Sequence, residues 1–150
     1  MFGLSGMLFI LLLSIAAFAF LFENVSSSLD YRDMQARSYY ASMQILSRGD
    51  PPAWASLNSS QINNYGLVRE AGVLDQAKIG ALSSEILSNY SLVAARLGIS
   101  KYNYSIQIID FYNGSILYSM GYANSSRVIS QSEMSYLNGS FVLVQLKVAK

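Results

Sequence analysis

The sequence predicts an α+β chain: a long N-terminal α-helix, apolar in its first half and amphipathic in its second, then a small head with one further helix and an antiparallel β-sheet. Three observations carry this. Residues 1–22 hold no charged side chain. Helical spacing of apolar residues continues past that run until Gly49-Asp50-Pro51-Pro52 interrupts it. The last third switches to a period of two, divided by Asn113-Gly114 and Asn138-Gly139, the dipeptides that favour tight hairpins. The chain therefore divides into an apolar helix at 1–22, its amphipathic continuation at 23–48, and a β-rich head at 49–150.

Taken as a helix, residues 1–22 reach about 33 Å at about 1.5 Å per residue, enough to cross a bilayer core. Two readings stand for such a run. Ala17-Phe18-Ala19 resembles the small-x-small site of a cleaved secretory signal. Against that, no Lys or Arg precedes the run, and it exceeds the usual length of a signal's apolar region. Gly3, Ser5, Gly6, Ser14, Ala16, Ala17 and Ala19 interleave with large apolar residues such as Phe9 and Phe20. Small residues let helix backbones approach closely, which is how helices associate in apolar surroundings. The alternative is a plain lipid-facing anchor.

Val25, Leu29, Arg32, Ala36, Tyr40, Met43 and Leu46 recur at spacings of three and four, so the helix is expected to run to about Ser47 and lay this stripe on the head. By the same rise per residue the rod is roughly 70 Å long. Gly49 suits a left-handed cap, and Pro51 and Pro52 forbid continuation. Trp54 is expected to anchor the following polar loop, 56–65, onto the head rather than to stack on a ligand. A second helix is predicted from about Leu74 to Leu97 on the stripe Leu74, Ala77, Ala81, Leu82, Ile86, Tyr90, Val93, Ala94 and Leu97, closed by Gly98. Four strands follow, for which an antiparallel meander is the simplest arrangement.

Composition narrows function. A net charge of +1 gives no basic field for nucleic acid. Cysteine and histidine are absent, which removes disulfides, thiolates, soft metal ligands and the usual neutral-pH base. The nine acidic residues are scattered and no Gly-rich phosphate loop follows a strand. No catalytic residue, metal site or cofactor is expected, and the chain is read as a non-enzyme.

The apolar helix continuing into an amphipathic one, the break Gly49-Asp50-Pro51-Pro52-Ala53-Trp54, then Tyr65-Gly66-Leu67 and Leu74-Asp75-Gln76-Ala77-Lys78 before a β-rich end, resemble archaeal type IV pilins and pilin-like proteins. The resemblance implies a ladle-shaped subunit. Its N-terminal helix packs with identical subunits in a helical homopolymer, and it is membrane-inserted before assembly. The filament-core face would include Phe2, Gly3, Gly6, Phe9, Leu13, Ala17 and Phe20. One explanation for the missing basic flank is a basic leader removed ahead of Met1, as happens in prepilins. Ser5 stands where many bacterial pilins place a glutamate. The expected role is a structural subunit of an extracellular filament acting in adhesion or surface attachment. The alternative is a membrane-anchored monomeric extracellular binding module, or a minor pilin-like protein.

Of the nine asparagines, seven open an Asn-x-Ser sequon: Asn24, Asn58, Asn89, Asn103, Asn113, Asn124 and Asn138. Serine fills about one position in six, so chance supplies about one or two matches to the acceptor pattern. The excess points to N-linked glycans on an exported chain, with Asn24 excluded by its place at the end of the apolar run.

Overall fold

The computed structural model describes residues 3–150, with side chains from Gly6 onward. The protein is α+β: a long N-terminal helix, a second helix and a mixed six-stranded sheet. Helix α1 spans Gly3–Ile45 and helix α2 Gln76–Arg96. The strands are β1 (Val68–Glu70), β2 (Val73–Leu74), β3 (Asn103–Asp110), β4 (Ile116–Tyr122), β5 (Val128–Leu137) and β6 (Ser140–Ala149). The chain forms two compact units, one reaching to Asp33 and the other Met34–Lys150.

In the second unit the sheet order is β1-β2-β5-β6-β3-β4. It is not the expected meander, because β3 pairs with β6, from Asn103↔Ala149 to Asp110↔Val142. Burial accounts for the difference. β3 and β6 bury Tyr104, Ile106, Ile108, Val142, Val144, Leu146 and Val148, whereas β4 buries Met120 and β5 contributes Ile129 and Leu137. The two most apolar strands therefore take the centre and shed the polar ones to either side. The short β1–β2 hairpin, unmarked in the sequence, joins β5 through the parallel pair Val73↔Tyr136.

The inner face of the sheet shares one buried cluster with Ile79, Leu82, Ile86, Val93 and Ala94 of α2 and with Met34, Ala41 and Ile45 of α1. This corrects the predicted stripe on α1. Tyr40 and Met43 are 70% and 51% exposed, Val25, Leu29, Arg32 and Ala36 are also exposed, and Leu46 is half-buried. The buried face is instead Met34, Ser38, Ala41, Ser42 and Ile45. Ser38, Ala41 and Ser42 are small, so this face lets the helix approach its neighbours closely, and counting apolar residues picks the other one.

Helix ends follow local chemistry. The Asp75 carboxylate accepts the Ala77 N–H at 2.9 Å as an N-cap, and Gly98 takes φ +71° beyond the C-terminus. α2 is interrupted at Asn89, with φ −141° and ψ 50°. There Tyr90 turns inward and stacks on Tyr104 at 4.5 Å and on Tyr122 at 5.0 Å, while the Tyr104 N–H donates to its hydroxyl at 2.7 Å.

Burial raises the phenols of Tyr65, Tyr90 and Tyr104 above the ordinary value of 10.0 and lowers Lys78 from 10.5. Above about pH 10 the unfolded chain releases phenolic protons that the folded head keeps, so stability is full below that pH and falls above it. Lys78 acts the opposite way, since its desolvation penalty is relieved as pH approaches 10.5. The Lys78 gain is complete near pH 10.5, whereas the phenolic loss goes on growing above it. The head is therefore expected to unfold cooperatively in alkali, with the last part of the tyrosinate absorbance, that of Tyr65, Tyr90 and Tyr104, rising at the same pH as the loss of far-UV dichroism. Completion of the tyrosinate rise before any loss of far-UV dichroism would contradict the burial of these three rings among the eleven tyrosines.

Candidate functional site

In the first unit, α1 presents apolar side chains outward on every side: Met7, Leu8, Phe9, Ile10, Leu11, Leu13, Phe18, Phe20 and Phe22 are all exposed. This part of α1 is long and apolar enough to cross a membrane. Phe2, the first of the packing residues named from the sequence, lies outside the described residues, and Gly3 is described only as the start of α1. The other five, Gly6, Phe9, Leu13, Ala17 and Phe20, are exposed and follow one another at spacings of three and four. At about 100° per residue they occupy one sector of the helix, with Gly6 and Ala17 the small members between larger side chains.

Two polar side chains, one within the run and one just past it, bond within the helix. The Ser14 hydroxyl donates to the Ile10 carbonyl at 2.8 Å, and Asn24 Nδ2 donates to the Phe20 carbonyl at 3.0 Å. A helix whose polar side chains bond to its own preceding turn can enter lipid or a dry helix bundle without leaving those groups unpaired.

In the second unit, the three short motifs quoted above meet in one packed knot. Trp54 is buried, its indole N–H donates to the Gly66 carbonyl at 2.8 Å, and its ring meets Tyr65 edge-to-face at 5.2 Å. Trp54 is thus an anchor, as the sequence suggested. Gly49, at φ +78°, and Gly66 lie so close that a Cβ on Gly66 would overlap the backbone of Gly49 and Ser47. Lys78 ties the third motif in, donating to the Arg48 carbonyl at 2.6 Å and the Val68 carbonyl at 2.9 Å. Arg96 completes the knot, its guanidinium donating to the Tyr65 hydroxyl at 2.8 Å and lying 5.4 Å from the ring centre. Each of these groups closes on a neighbour in the fold, so the arrangement fixes structure and presents no open reacting centre.

Six of the seven sequons are scattered over the second unit and not gathered into a site, and the seventh, Asn24, lies in the first unit. Asn113 and Asn138 stand at the β3–β4 and β5–β6 tips, the latter at φ 48° in a two-residue turn. Asn124 is exposed between β4 and β5, and Asn58 is exposed at the start of a 3-10 turn, Ser59–Gln61. Asn89 is exposed at the break in α2, and Asn103 is half-buried at the start of β3.

No family model, curated protein or solved structure matches the chain.

Proposed function

We propose that this protein is the structural subunit of an extracellular filament of the type IV pilin kind, and that its N-terminal helices bundle in the core with glycosylated heads outside. The observation that carries the reading is the unbroken exposure of the apolar side chains from Met7 to Phe22 on a helix where Ser14 and Asn24 bond to the preceding turn. Such a surface needs lipid or identical helices around it. Burial of several hundred Å² per subunit is worth on the order of 10 kcal/mol relative to water. Before assembly the helix resides in the membrane, and assembly exchanges lipid contacts for helix contacts. Subunits related head-to-tail without ring closure then extend as a fibre. The filament serves adhesion or surface attachment, and the head takes no part in catalysis.

Shearing cells of the source organism and viewing the released material by negative-stain microscopy tests this. Filaments in which mass spectrometry identifies this chain as the repeating protein are expected. Recovery of the chain only in the membrane fraction, with none in sheared filaments, would overturn the reading in favour of an anchored monomeric extracellular module.

A further inference from the structure

Both long hairpins end on the same five-residue pattern, aromatic-x-Asn-Gly-Ser: Phe111-Tyr112-Asn113-Gly114-Ser115 and Tyr136-Leu137-Asn138-Gly139-Ser140. The geometry at the two asparagines is different. Asn113 Oδ1 accepts the Ser115 N–H at 2.8 Å, an Asx turn that holds the carboxamide and the acceptor serine in one fixed loop. Only the oxygen can accept from an N–H, so the orientation of the carboxamide is assigned by this bond. Nδ2 lies on the opposite branch of the planar group and makes no hydrogen bond among the described residues. At Asn138 the nitrogen is occupied, donating to Gln76 Oε1 of α2 at 3.0 Å.

The other sequons are less suited. Asn24 Nδ2 is bound within α1 and Asn89 Nδ2 contacts Ser88 Oγ within α2 at 3.4 Å. Asn103 is half-buried between β4 and β6. Asn58 has no aromatic residue within two positions. Asn124 has Tyr122 two positions before it, but that ring is already stacked on Tyr90. At the Asn113 tip, by contrast, Phe111 and Tyr112 are 46% and 74% exposed. Their rings meet edge-to-face at 5.7 Å and 83°. An exposed aromatic pair offers the C–H face of a pyranose a surface that flexible polar side chains do not.

We propose that Asn113 is the principal N-glycan acceptor of this chain and that Phe111 and Tyr112 hold the first sugar against the hairpin tip. The inference rests on the reading of the chain as an exported, glycosylated subunit. In the transfer, Nδ2 bonds to the anomeric carbon of a sugar delivered as a glycosyl phosphate. The bond from that carbon to the phosphate oxygen breaks, the phosphate leaves with the electron pair, and the amide gives up one proton to a base of the transferase.

The test is glycopeptide mapping of the full chain purified from source cells, with occupancy measured at each sequon. Asn113 is expected to carry the highest occupancy. Ser115→Ala keeps the backbone N–H of the Asx turn and should remove the glycan at Asn113 alone. Phe111→Ala combined with Tyr112→Ala should lower occupancy at Asn113 about twofold to tenfold relative to Asn138, the range an aromatic contact supports. Gln76→Ala frees the Asn138 nitrogen and should raise occupancy there. Glycans at other sequons with Asn113 bare would overturn this inference and leave the filament reading standing. A bare chain in sheared filaments would overturn glycosylation while keeping the filament. Unchanged occupancy in the double aromatic variant would overturn the role given to the rings.

Discussion

Ala17→Asp is expected to abolish filament assembly. Ala17 lies in the same sector of α1 as Gly6, Phe9, Leu13 and Phe20, with apolar neighbours on both sides. A carboxylate within an apolar helix costs up to about 2.5–3.5 kcal/mol on insertion scales, the figure for the helix centre, and more in a dry bundle where no water or counter-ion reaches it. The charge recurs in every subunit, so the effect multiplies along a fibre instead of marking one weak joint. Gly6→Lys acts by the same means and adds bulk where close approach of backbones is needed. Ala17→Ser is the control. Its hydroxyl can bond to the preceding turn as Ser14 does to Ile10, so filaments should persist. The second unit has its own buried core, and thermal unfolding of the head should be unchanged in all three variants. Normal filaments from Ala17→Asp would contradict the packing assigned to this helix.

Trp54→Ala is expected to bring the head close to unfolding. Deleting a fully buried aromatic side chain costs about 3–5 kcal/mol, against about 5–15 kcal/mol for a whole domain. Here the loss also strands the Gly66 carbonyl and removes the edge partner of Tyr65. Gly66→Ala attacks the same knot from the backbone side. Its Cβ has no space unless Gly49 and Ser47 move apart, which would break the bonds from Leu67 N–H to the Ile45 carbonyl and Val68 N–H to the Ser47 carbonyl. Trp54→Phe should be milder, keeping most of the ring and losing a hydrogen bond worth about 1 kcal/mol. Urea unfolding followed by far-UV dichroism measures all three. A midpoint for Trp54→Ala within error of the parent would show that the loop is not anchored as described.

Signals local in the sequence were the legible ones. Gly49 with Pro51 and Pro52 stops α1 at Ile45 against a predicted end near Ser47, and Asp75 and Gly98 bracket α2 at Gln76–Arg96 against the predicted 74–97. Asn113-Gly114 and Asn138-Gly139 mark both hairpin tips. Strand order was not legible, because β3 and β6 find each other across more than thirty residues through their shared apolar alternation, and a meander satisfies the same local pattern. The buried face of α1 was misread for a related reason. Its second half carries apolar residues on two faces, and close approach at Ser38, Ala41 and Ser42 decides between them. The motifs around Trp54, Tyr65 and Lys78 were visible one by one, but their convergence is a long-range contact that spacing does not encode. For the sequons, sequence gives the acceptor pattern and the flanking aromatics. The hydrogen bonds at Asn113 Oδ1 and Asn138 Nδ2, which separate one tip from the other, come only from the fold.

The most direct test of the account is sedimentation of the purified full chain, with residues 1–22 intact, after removal of detergent and lipid. Large assemblies are predicted, since the exposed apolar surface of α1 must find cover among its own copies. A stable soluble monomer under those conditions would contradict the central claim.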